Sequence, residues 1–173
     1  MFSGCHSMHR STVVALIVLV GAAPGSCAEH TDAPAPTVPL VGHWRLNLER
    51  THYGTGVDVR RSETFACDLA ARELRCVTHS VRQDGRDLVG EFAATIDAAP
   101  APVAGIPDVD AVELSQPVPS LLDATFFLRG KAVFAYRAYR SSDGASLMIV
   151  SVDPVSRAAL TTVVVYEPSD SSP

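Results

Sequence analysis

Between residues 41 and 167, apolar and polar positions alternate in short runs, turn residues separate the runs, and helical periodicity is nearly absent. His43 to Leu48 sets Trp44, Leu46 and Leu48 on one face. Val59 to Cys67 and Leu74 to Val81 read as two strands joined by a tight turn centred on Ala71-Arg72. Asp84-Gly85 reads as a two-residue type I′ turn, in which both central residues take positive φ, and Leu88 to Asp97 returns from it. The prolines and glycine of Ala98 to Asp110 predict mainly loop. Ala111 to Leu114, Ala124 to Arg129, Lys131 to Arg140, Ser146 to Val152 and Ala158 to Glu167 follow as further strands. About eight or nine consecutive strands with no helix between them predict an all-β antiparallel fold, a sandwich or a barrel. An up-and-down barrel is expected, because closure removes the exposed sheet edges that an exported monomer must avoid.

The flanks differ from this core. His6, His9 and Arg10 precede an unbroken apolar run, Val13 to Val20, too short to span a bilayer as a helix. Residues 1–28 therefore read as a signal peptide, with Ser26 and Ala28 as the small residues before the cut. The alternative is a lipid anchor on Cys27, although Pro24 stands where an aliphatic residue is usual. Residues 29–39 read as a disordered Pro- and Ala-rich tether, 40–167 as the barrel domain and 168–173 as a polar tail. No later segment is long and apolar enough to span a membrane, so a periplasmic or secreted protein is expected.

Composition narrows the function classes. A chain of 173 residues with 47% hydrophobic content suits one domain with a real core. Its formal charge of −5 argues against a nucleic-acid partner, which would require a basic stripe. Lys131 is the single lysine, a pattern of coding bias rather than of anion sites. Past the signal segment only Cys67 and Cys76 remain, and an even pair in an oxidising compartment is expected to form a disulfide.

Three resemblances add to this reading. Gly42-His43-Trp44 resembles the Gly-x-Trp that opens lipocalin-type barrels, which implies structural roles for Gly42 and Trp44, with the Trp closing the barrel floor. A longer pattern resembles a family of uncharacterised exported bacterial proteins and covers most of residues 41–167. It comprises Gly42 to Asn47, Asp84-Gly85-Arg86, Gly105 to Asp110, Phe134 to Arg137, Ser142-Asp143-Gly144 and Val150 to Pro154. That family has no assigned activity, so the resemblance implies export and a lipocalin-like barrel only. Trp44-Arg45-Leu46 with Cys67-Asp68-Leu69 and Cys76 is similar to small periplasmic inhibitors of secreted metalloproteases, which are barrels with one disulfide.

Candidate chemistry rests on register. A two-residue Asp84-Gly85 turn would set Val81 opposite Leu88, His79 opposite Gly90, Val77 opposite Phe92 and Arg75 opposite Ala94. Opposed residues share a face, and this face is mostly apolar, so it is expected to point inward. His79 and Arg75 would then be polar groups on an apolar wall, with Gly90 leaving space beside His79. Together with Phe92 and Tyr136 they are the expected ligand-binding residues. The same register puts the disulfide outside the wall, which conflicts with Phe65 sharing the Cys67 face; a bulge could resolve it. In Tyr136-Arg137-Ala138-Tyr139-Arg140, alternation sends Phe134, Tyr136 and Ala138 one way and Arg137 and Tyr139 the other. Asp108-Val109-Asp110 is expected to be turn chemistry rather than a cation site. No zinc spacing, Gly-x-Ser-x-Gly or phosphate loop occurs, so no metal, cofactor or catalytic residue is expected. The sequence thus predicts a non-catalytic exported barrel for a small apolar or amphipathic ligand. The alternative is a module that binds another envelope protein or inhibits a protease.

Overall fold

A computed structural model describes residues 38–55 and 59–170. The residues read as a signal peptide, the stretch read as a tether up to residue 37 and residues 171–173 of the expected tail lie outside the described residues. Ten strands run in order: β1 Gly42–Leu46, β2 Arg60–Ala70, β3 Glu73–Arg82, β4 Asp87–Thr95, β5 Ala101–Ala104, β6 Ala111–Val118, β7 Leu121–Leu128, β8 Lys131–Arg140, β9 Leu147–Val152 and β10 Ala159–Pro168. Each pairs antiparallel with its neighbour in sequence, and β1 pairs with both β2 and β10, so the sheet closes on itself. The fold is an all-β up-and-down barrel, as the alternation predicts. Among the described residues no helix is long and apolar enough to cross a membrane.

The extra strand is β5, inside the stretch read as loop. It pairs at two positions on each side, Glu91↔Ala104 and Phe92↔Val103, then Ala101↔Val112 and Pro102↔Ala111. Pro102 lacks an N–H for the ladder, and that keeps the strand short. The chain is drawn into the sheet because without it β4 and β6 would leave unpaired edges.

The β3–β4 turn corrects the expected register. Gly85 N–H donates to Arg82 O at 3.0 Å, Arg82 N–H donates to Arg86 O at 2.9 Å, and Gly85 has φ of +87°. The loop thus has three residues, Gln83-Asp84-Gly85, in which only the glycine is left-handed. One residue more in the turn slips the pairing by one: Thr78 faces Gly90, Cys76 faces Phe92 and Arg75 faces Ala93. A slip of one turns every side chain of β3 to the other face. Leu74, Cys76, Thr78 and Ser80 point inward, while Arg75, Val77 and His79 are exposed. The two-residue left-handed turn of this barrel is instead Arg129-Gly130, with φ of +51° and +75°.

The same slip settles the disulfide. Cys67 and Cys76 are directly opposed with Cα atoms 4.2 Å apart, and the bond lies on the inner wall, not outside it. Phe65 and Cys67 therefore share a buried face without conflict.

One end of the barrel is packed shut. Leu74, Val112, Leu114, Leu122, Ala124, Ala138 and Leu147 are fully buried there. Val38, Pro39 and Leu40 fold across this end, so Val38 and Pro39 belong to the domain rather than to the tether. Trp44, 1% exposed, donates its indole N–H to Leu40 O at 3.0 Å. The Arg140 guanidinium lies 5.0 Å from the Trp44 ring and donates to Val41 O at 3.1 Å. Gly42 has φ of +125°, a conformation that side chains resist, which explains the glycine two residues before the Trp. At the other terminus Pro168 pairs with Trp44 and Ser169 N–H donates to His43 O, so the barrel reaches past residue 167.

Candidate functional site

The opposite half of the barrel is hollow. A cavity of about 440 Å³ runs from the level of the disulfide to the mouth, a size that suits a small ligand. Inner positions there carry small or polar residues, Thr78, Ser80, Gly90, Ser151 and Thr162, which do not fill the bore of ten strands.

One wall is aromatic. The Phe126 ring lies 5.6 Å from Phe134, 5.7 Å from Tyr136 and 6.4 Å from Phe92, with Phe134 and Tyr136 5.9 Å apart. Phe65 packs edge-on against Tyr166 at 4.9 Å.

Set into the wall beside Phe65 is a polar network. Glu63 is 5% exposed, and its Oε1 accepts from Arg60 Nη1 at 2.7 Å and from the Tyr166 hydroxyl at 2.5 Å. The same Arg60 nitrogen donates to the Tyr166 oxygen at 3.3 Å. A bulge makes this possible. Arg60 pairs with Arg82 but Ser62 pairs with Val81, so Arg61 is the extra residue and Arg60 is turned to the face of Glu63. Burial alone would lower the Arg60 pKa, but the Glu63 carboxylate, with the hydrogen bond to the Tyr166 oxygen, outweighs it and holds the guanidinium charged. Burial and then the Glu63 charge push the hydroxyls of Tyr166 and Tyr136 up, so both stay protonated at neutral pH.

A loop roofs the cavity. Gly105, with φ of +73°, lies so close to Val89 O that no Cβ would fit. The loop then sends Ile106, Pro107 and Val109 over the cavity. A Cβ on Gly90 would stand 2.6 Å from Ile106 Cγ1. The space beside Gly90 therefore holds Ile106, not an open pocket. Asp110 Oδ2 accepts from Arg129 N–H at 2.7 Å and ties the end of the loop to the β7–β8 turn. Among the described residues no group of three or more His, Cys, Asp or Glu could hold a metal ion.

Of the expected ligand-binding residues, Gly90, Phe92 and Tyr136 line this cavity, whereas His79 and Arg75 stand on the outer surface, where Arg75 pairs with Glu73. Arg137 also faces outward, toward Asp123 at 3.1 Å. Arg60, Glu63 and Tyr166 went unread in the sequence. One signal was available for Glu63: it alternates with Phe65 and Cys67, so a carboxylate stands on an apolar face. The bulge that recruits Arg60 left none.

Fold and cavity together define a closed ten-stranded antiparallel barrel with an internal amphipathic cavity. No family model, curated protein or solved structure matches the chain. The resemblances drawn from the sequence therefore rest on its motifs alone.

Proposed function

We propose that this protein is an exported, non-catalytic, lipocalin-like carrier of one small amphipathic molecule, held inside the hollow half of the barrel. The observation that carries the reading is the cavity itself: about 440 Å³, aromatic on one wall and hydrogen-bonding on another, above a floor that is fully packed. A barrel built only for stability would fill this space, and burying Arg60 with Glu63 gains it little, since desolvation offsets much of their attraction. The disulfide supports folding in an oxidising compartment, periplasmic or extracellular.

The test is saturable binding of a neutral fluorescent probe, N-phenyl-1-naphthylamine, and native mass spectrometry of the protein taken from its own compartment. One probe per barrel is expected, lost in a Thr78→Trp variant that fills the cavity and keeps its β circular dichroism. No saturable binding by the wild type, or unchanged binding in the folded variant, would overturn the carrier reading.

A second reading has its own observation. Val133, Phe134, Val155 and Leu160 are exposed at the hollow end, with Val155 85% accessible. An apolar rim at one end of a barrel suits docking to another envelope protein. Pull-down by wild type but not by a Val155→Asp, Leu160→Asp variant would favour it.

A further inference from the structure

The polar network is ordered along the barrel axis. Arg60 is the first residue of β2, at the mouth, with its side chain 35% exposed. Glu63 lies three residues deeper, and its side chain is 6% exposed. Both hydrogen bonds to Glu63 fall on Oε1; among the described residues none falls on Oε2. Two more charges line the cavity, Arg82 on β3 and Asp108 on the roof loop, opposite in sign. The guanidinium holds Oε1 from the mouth side, so a ligand passing inward meets a paired carboxylate whose Oε2 can still take a further donor or cation.

Glu63 and the aromatic wall, Phe126, Phe134 and Tyr136, line one cavity. Besides burial, the Glu63 charge raises the Tyr136 hydroxyl more than Arg60 lowers it. The rings of Phe126, Phe134 and Tyr136 lie within 5.9 Å of one another and line the same space. A deep carboxylate and a group of aromatic faces have one ligand chemistry in common, a cation of low hydration. An anion would have to bring its charge toward Glu63 or stop at the mouth beside Arg60.

We infer that the molecule held in the barrel is an amphipathic cation, an alkyl or aryl amine or quaternary ammonium, with its charged head between Glu63 and the rings of Phe126, Phe134 and Tyr136. Its apolar body lies beneath Ile106, Pro107 and Val109. This inference rests on the carrier reading and narrows its ligand class.

Three probes with the same ten-carbon tail test it: decyltrimethylammonium, decanol and decanoate, titrated calorimetrically into the exported protein at neutral pH below micelle formation. The cation is expected to bind about tenfold tighter than either of the others, the scale of a desolvated cation–aromatic contact. Glu63→Gln keeps the side chain's shape and should weaken the cation about tenfold while moving decanol by less than about twofold. Phe134→Leu, at the rim, should also weaken the cation more than decanol. Decanoate binding tightest, or decanol matching the cation, would overturn the cation inference and leave the carrier reading intact. Saturable binding of none of the three would overturn both. Because the head-group series is read on the wild type, it decides even if Glu63→Gln fails to fold; a folded Glu63→Gln with unchanged cation affinity would also overturn the inference.

Discussion

The two ends of this barrel are made from the same ten strands but differ in what points inward. At the packed end, the leucines Leu74, Leu114, Leu122 and Leu147 alternate with Ala94, Ala124 and Ala138, so large side chains meet small ones and interdigitate. At the hollow end, the inner positions are Thr78, Ser80, Gly90, Ser151 and Thr162, and no leucine set bridges the bore. A ten-stranded barrel is too wide to be filled by small side chains. Stability can therefore be concentrated in one half while the other keeps a cavity and a buried ion pair. The disulfide marks the boundary between them.

The largest effect is expected at the packed end. Trp44→Ala should cost about 3–5 kcal/mol, the scale for a large buried aromatic, measured by urea denaturation. Trp44 is the only tryptophan, so wild-type emission reports it alone and should be blue-shifted and weakly quenched by iodide. Emission like that of free tryptophan would mean that this end is not sealed.

Next in size is the boundary. Replacing Cys67 and Cys76 together by Ala should lower stability by about 2 kcal/mol, because the bond closes a short hairpin and constrains the unfolded chain only modestly. Intact mass after alkylation, with and without reductant, shows whether the bond is present. Labelling of both thiols without reductant would remove the boundary altogether.

Smaller again, and the sharpest contrast, is a pair of enlargements. Ala124→Leu overfills the packed end and should cost about 1–3 kcal/mol. Ser80→Leu adds volume to the cavity and should change stability by less than about 0.5 kcal/mol while reducing probe uptake. Equal costs at the two sites would show that the halves are packed alike.

The smallest effect is in the turns. Asp153 caps its turn by accepting from the backbone N–H groups of Ser156 and Val155, and Asp143 does so from the Ser141 hydroxyl and Ala145 N–H. These bonds hold both carboxyls below the usual range. A group depressed in the fold stabilises above its unfolded pKa and loses that contribution as pH falls through the folded value. The Tm should therefore fall slightly as pH drops below about 4. Asp143→Asn and Asp153→Asn should flatten that decline; a slope unchanged in both would assign it to other carboxylates.

Much of the architecture was legible in the chain. Nine of its strands follow from alternation and turn residues, because a half-buried strand must alternate and a barrel wall is half-buried throughout. The pairing of Cys67 with Cys76 follows from the hairpin between them. Trp44 follows from its place among apolar alternates. β5 was hidden because a four-residue strand containing Pro102 has the composition of a loop, and only its two neighbours make it a strand.

The candidate site was less legible, and one residue explains most of the difference. Asp84-Gly85 is compatible with a two-residue or a three-residue turn, and local sequence does not separate them. The wrong choice turns His79 and Arg75 inward and the disulfide outward. The inner face of β2, with Glu63, Phe65 and Cys67 in alternation, holds the correction: Cys76 opposite a buried Cys67 belongs on the face of Phe92, and the three-residue turn puts it there.

Along the chain alone, nine of the ten strands, their order and the identity of the cysteine pair could be read, since each depends on neighbours within a few residues. Tertiary structure alone decided that Arg61 bulges so that Arg60 reaches Glu63, that Tyr166 from the last strand completes the network, and that Ile106 fills the notch at Gly90. Those contacts join residues far apart in the chain. Their geometry exists only once the barrel has closed and each strand has one register.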